Sequence, residues 1–116
     1  MDFASDNASG ASDKVMAALV DANGGFAPAY GADAATKEAE ARISDLFERE
    51  CAAFLLATGT AGNALALASV TPPWGAIFCH QDAHVMDDEC GAPEFFSAGA
   101  KLVALGGADG KIDPES

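Results

Sequence analysis

The chain has 116 residues, half of them hydrophobic, a length that suits one small domain or a piece of a larger one. Eighteen acidic residues stand against 6 basic ones, for a formal net charge of −12. That balance excludes nucleic acid and anionic membrane surfaces as partners, because both require a basic face.

The opening Ser5-Asp6-Asn7-Ala8-Ser9-Gly10-Ala11 reads as a polar loop of small residues. Ser12 can N-cap a helix from about Asp13 to Asn23, with Val15, Met16, Leu19 and Val20 on one face, and Gly24-Gly25 stops it. The segment Phe26 to Ala32 is irregular and contains Pro28. Asp33 or Thr36 caps a second helix that runs to about Glu50, with Ala39, Ile43, Leu46 and Phe47 as its apolar stripe. A strand is expected near 51–57, a helix near 60–70 and a strand near 76–79, followed by a loop that carries both histidines. A short helical stretch near 86–97, interrupted at Gly91 and Pro93, leads to a third strand, Lys101 to Leu105. Strands alternating with helices imply an α/β unit, a sheet covered by helices. At the end, Asp113-Pro114-Glu115 is a helix-start signal with an acidic cap and a proline in first position. It carries the expectation that these residues are the N-terminal part of a longer polypeptide, with a frayed polar tail as the alternative.

Cys51, Cys79 and Cys90 show no Cys-x-x-Cys spacing, and Met1-Asp2-Phe3 carries no targeting pattern. The expectation is reduced thiols in a cytoplasmic protein, with Cys51 and Cys79 buried as small hydrophobes. No apolar run reaches the roughly 18 residues of a membrane span.

Two stretches carry chemistry. Thr58-Gly59-Thr60-Ala61-Gly62-Asn63 joins an apolar run of strand length to one at helical spacing. Small residues there leave backbone N–H groups and the helix dipole facing outward, the layout of a phosphate cup, and Thr60 adds a hydroxyl. Neither the lysine of a P-loop nor the spacing of a dinucleotide fingerprint is present, and a plain turn has the same pattern. The second stretch is His80-Gln81-Asp82-Ala83-His84, with Glu89 five residues beyond. The two histidines have the i, i+4 spacing of helical metal ligands, yet they lie where a strand hands over to a loop and lack the glutamate of a zincin. The other readings are an imidazole lying flat on a planar cofactor, able to handle a proton near neutrality, and a surface loop with two hydrogen-bonded histidines.

Taken in order, Ser5-Asp6-Asn7, Tyr30-Gly31-Ala32-Asp33, Thr58-Gly59-Thr60-Ala61-Gly62-Asn63 and Ala83-His84 with Glu89 and Gly91 resemble the low-specificity L-threonine aldolases. These belong to the aromatic beta-eliminating lyase/threonine aldolase family of pyridoxal-phosphate enzymes. The resemblance covers essentially all of residues 1–116. It implies an α/β fold, the N-terminal segment and start of the large domain of a pyridoxal-phosphate-dependent transferase-like (fold type I) enzyme, with helices packed on a mostly parallel sheet. It implies that Gly59, Thr60 and Ala61 hold the phosphate of pyridoxal 5'-phosphate and that His84 stacks on its ring as a catalytic residue. Ser5 lies near the substrate carboxylate, Tyr30 shapes the entrance or a subunit contact, and Glu89 stands behind the histidine. No metal is implied.

The implied reaction is a retro-aldol cleavage of threonine, allo-threonine and other β-hydroxy-α-amino acids to glycine and an aldehyde, in a homodimer or homotetramer. A β-eliminating lyase of the same fold and a non-catalytic remnant are the alternatives. The family's cofactor-bearing lysine falls beyond this stretch, and Lys14, Lys37, Lys101 and Lys111 read as solvated. Residues 1–116 alone are therefore expected to lack catalysis, and to self-associate or to fold only with further chain.

Overall fold

A computed structural model describes residues 8–115. The chain divides between Ala53 and Phe54 into two units, each built from its own contacts. Ser5 lies outside the described residues.

In the first unit, α1 (Asp13–Ala22) starts where the Ser12 hydroxyl accepts from the Val15 amide at 3.4 Å. Its apolar face, Val15, Met16, Leu19 and Val20, is exposed within this unit. Helix α2 (Ala34–Leu46) is started by Asp33, whose carboxylate accepts from the Thr36 amide at 2.8 Å and from the Thr36 hydroxyl at 2.7 Å. These two bonds favour the charged form and hold the Asp33 carboxyl below its usual range. The helix ends at Leu46, four residues before the expected end at Glu50. Glu48 turns left-handed at φ 52°, the Arg49 amide donates to the Ser44 carbonyl, and the Glu48 amide donates to that of Asp45. This pair of bonds is a Schellman stop with glutamate where glycine usually stands. Cys51 is half-buried rather than buried, its backbone bonded to the Ser44 hydroxyl at 3.1 Å.

The run 51–57, expected as a strand, is neither helix nor strand. An extended segment becomes a strand only through a ladder with a neighbour, and the only described sheet pairs two later segments.

In the second unit, α3 (Gly59–Val70) is capped by Thr58, whose hydroxyl accepts from the Ala61 amide at 3.1 Å. Strands β1 (Ala76–His80) and β2 (Lys101–Leu105) pair in parallel, Ala76 opposite Lys101 through His80 opposite Leu105. Parallel neighbours need a crossover, and it carries α4 (His84–Asp87) and α5 (Ala92–Phe96). These replace the single interrupted stretch expected at 86–97. The break falls at Cys90 and Gly91, both left-handed, while Pro93 sits inside the first turn of α5, where no N–H is required of it. Helix α5 packs against both α3 and β2, and α4 packs against β1. Fully buried Ala64 and Ala100, with Ile77, Cys79 and Pro93, form the core between them. Burial pushes the Cys79 thiol up, and the Glu94 carboxylate adds to the shift. Phe78, on the opposite face of β1, is 63% exposed. No helix among the described residues is long and apolar enough to cross a membrane.

Past β2, Gly107 has φ 153°, and a Cβ there would overlap the Lys111 carbonyl oxygen. The same residue's carbonyl receives the His80 side chain at 3.0 Å.

Two expectations follow for stability. Because the folded Asp33 carboxyl lies below its usual value, its cap is intact above the ordinary aspartate range, near about 4, and is lost as pH falls through the lowered value. NMR shifts of α2 should therefore hold through the ordinary range and change only below it, and Asp33→Ala should lose α2 order at every pH. Gly107→Ala should lower stability in urea unfolding by about 2 kcal/mol or more, since relief of the overlap requires a backbone shift.

Candidate functional site

The first turn of α3 presents the amides of Gly59 and Thr60 with no acceptor among the described residues. Ala61 differs: its amide is held by the Thr58 hydroxyl, and Gly62 completes the first helical bond to the Thr58 carbonyl at 3.2 Å. No acidic side chain stands in that turn, and the position a Cβ would take on Gly59 is open space. The helix dipole, equivalent to roughly half a positive charge at this end, therefore faces an uncrowded mouth. A phosphate group fits there.

One helical turn along, Asn63 reaches out of the helix. Its side-chain amide donates to Oε1 of Glu89 at 2.6 Å. The same oxygen accepts from His84 Nδ1 at 2.9 Å. The Glu89 side chain is fully buried, whereas that of His84 is 65% exposed. A carboxylate only accepts, so Nδ1 carries a proton and, in the neutral ring, Nε2 is left as the proton acceptor. The ring is anchored at one edge with much of its surface free, an arrangement that suits contact with a flat aromatic group. The sequence motifs therefore form one connected set here: the helix mouth, Asn63, Glu89 and His84. Asn63 had no assigned role in the sequence reading. The available signal is its position four residues after Gly59, a carboxamide in a helix otherwise made of small and apolar residues.

His80 behaves differently from His84. It is buried, its Nδ1 accepts from the Asp82 amide at 3.1 Å, and its Nε2 therefore donates to the Gly107 carbonyl at 3.0 Å. With both nitrogens committed it braces the end of β1. The two histidines also do not share a helix, since His80 closes β1 and His84 opens α4. Among the described residues, no group of three or more His, Cys, Asp or Glu side chains could hold a metal ion. Tyr30 belongs to the first unit, fully exposed, with left-handed backbone at φ 59° followed by Gly31 at φ 76°. Lys14, Lys37, Lys101 and Lys111 are all exposed.

Comparison with known proteins identifies relatives of this arrangement. A family model described as beta-eliminating lyase matches residues 2–116. Low specificity L-threonine aldolases of Pseudomonas sp. (strain NCIMB 10558) and of Pseudomonas aeruginosa are each 46% identical over 114 residues, covering 98% of this chain and 33% of theirs. The chain thus spans about a third of the length of these curated relatives. The solved threonine aldolase of Leishmania major superposes with a TM-score of 0.80 at 30% identity, over 90% of this chain and 30% of that one.

The shared carboxylate sets an expectation for Glu89. Glu89→Ala should strand the Asn63 amide and His84 Nδ1 together and destabilise the second unit by about 1–3 kcal/mol. Glu89→Gln, whose carbonyl oxygen can still accept from both, should recover much of that loss in chemical denaturation.

Proposed function

The chain belongs to the beta-eliminating lyase family, and from that membership we propose that it is the N-terminal third of a pyridoxal-phosphate-dependent aldehyde-lyase of the L-threonine aldolase type. The whole enzyme cleaves threonine, allo-threonine and other β-hydroxy-α-amino acids to glycine and an aldehyde. The observation that carries this reading is the chain of contacts from the helix mouth through Asn63 and Glu89 to His84, in a chain 46% identical to low specificity L-threonine aldolases.

The chain's own residues supply binding and proton handling. The Gly59 and Thr60 amides and the Thr60 hydroxyl would hold the cofactor phosphate at the positive end of α3. Ala61 joins them only when the Thr58 hydroxyl rotates off its amide. Glu89 fixes the His84 ring, whose exposed surface would be offered to the cofactor's aromatic ring. His84 Nε2 accepts the proton of the substrate β-hydroxyl, directly or through a water. When bound, the cofactor provides the electron sink for the carbanion left as the Cα–Cβ bond breaks. The cofactor-bearing lysine comes from the remainder of the enzyme, which acts as a cytoplasmic homodimer or homotetramer.

The test uses the full-length protein. Pyridoxal phosphate should give a visible absorption band that changes on addition of glycine, and threonine should yield glycine and acetaldehyde. Thr60→Val should weaken cofactor binding about tenfold, the loss of one hydrogen bond to a charged group. Residues 1–116 alone, given the cofactor, should show background cleavage only. A full-length protein that binds no cofactor refutes the reading, and one that releases a 2-oxo acid instead of glycine assigns it to β-elimination.

A further inference from the structure

We infer that Asn63 is a positioning residue for His84, acting through Glu89 to decide which imidazole nitrogen carries the proton; the inference rests on the proton-handling role given to His84 above. Asn63 is itself exposed, yet its amide reaches a carboxylate 26 positions further along the chain. That carboxylate has two donors, Asn63 and His84, and both fall on Oε1. Its other oxygen, Oε2, is buried and meets no donor among the described residues. Rotation about the last torsion of a glutamate is soft and roughly two-fold, so a carboxylate sealed from water keeps its orientation only through the donors it has. Remove the Asn63 amide and His84 alone must hold the group that is meant to hold His84.

The consequence falls on the tautomer. While Oε1 faces the ring, the neutral imidazole keeps its proton on Nδ1 and presents Nε2 as a base. Once the carboxylate swings so that neither oxygen lies on Nδ1, the ring returns toward the Nε2–H form that a neutral imidazole favours in water. The proton then sits on the atom that must accept one. Asn63 stands one turn from the Gly59 and Thr60 amides, so the same helix end that receives an anion also sets the state of the base.

The test reads the tautomer by long-range 1H–15N NMR of histidine-labelled full-length protein without cofactor, at a pH where the rings are neutral. Wild-type His84 should show the Nδ1–H form. Asn63→Ala should make the Nε2–H form the major one; alanine is the better helix former at this exposed position, so α3 itself is not weakened. The His80 signals, fixed by Gly107 and Asp82, should not move, which reports an intact fold. In the loaded enzyme the variant should lose about tenfold in kcat with KM for threonine and the cofactor band little changed. An unaltered Nδ1–H tautomer for His84 in Asn63→Ala overturns the inference. Should His80 also move, Asn63→Gln decides: retention of the wild-type tautomer by this amide-bearing variant supports the role, and its loss overturns it. A wild-type protein with the Nδ1–H form, shifted by Asn63→Ala, that neither binds pyridoxal phosphate nor cleaves threonine supports the positioning role while refuting the aldolase reading.

Discussion

One oxygen atom, Oε1 of Glu89, joins the two motifs of this chain. It accepts from the amide of α3 and from the imidazole that opens α4, at 2.6 and 2.9 Å. Buried hydrogen bonds to a charged group are stronger than neutral ones, and leaving their donors stranded is more costly still. A helix end and a loop separated by more than twenty residues are thereby fixed to one another. Without that oxygen, α3 would still offer two free amides and α4 would still begin with a histidine, but only packing through α5 and the strands would relate them, with no bond fixing the imidazole.

The packing beneath this contact depends on small residues. Ala64 on α3 and Ala100 just before β2 are fully buried, and α5 lies in contact with both elements. A methyl group is the largest side chain these positions carry. Close approach of this kind brings the Asp88–Gly91 turn, and with it Glu89, to the side chain of Asn63. The Ser97 hydroxyl, accepting from the Ala100 amide at 3.2 Å, closes the turn from α5 into β2. The fold is an α/β fragment of a fold type I domain, in keeping with its superposition on a threonine aldolase.

Much of this was legible in the residues. The segment Lys101 to Leu105 is a strand with the expected bounds, and β1 exceeds its expected range only by His80. The cap at Ser12, and that at Asp33 as one of two candidates with Thr36, follow from short polar side chains before helical runs. What could not be read has identifiable physical causes. The early stop of α2 depends on a left-handed glutamate, which no local rule announces. The run 51–57 has strand composition, but a strand is defined by a neighbour and composition does not supply one. The partnership of Glu89 with His84 was implied by family resemblance, whereas that of Asn63 required coordinates, because residues so distant in sequence give no periodic signal. For His80 and His84, equal spacing concealed opposite fates: one is sealed into the sheet edge and the other left half in solvent.

The helix stops hold a practical opening. Ala98, like Glu48, adopts a left-handed backbone, at φ 59°, with the Gly99 amide donating to the Glu94 carbonyl. An L-residue in that conformation costs about 1–2 kcal/mol, whereas introducing glycine loosens the unfolded chain by roughly 0.5–1 kcal/mol. The difference favours glycine at both corners. Neither corner bonds to the mouth of α3 or to the His84 imidazole, so thermal tolerance can be raised there by engineering while the candidate site is left alone.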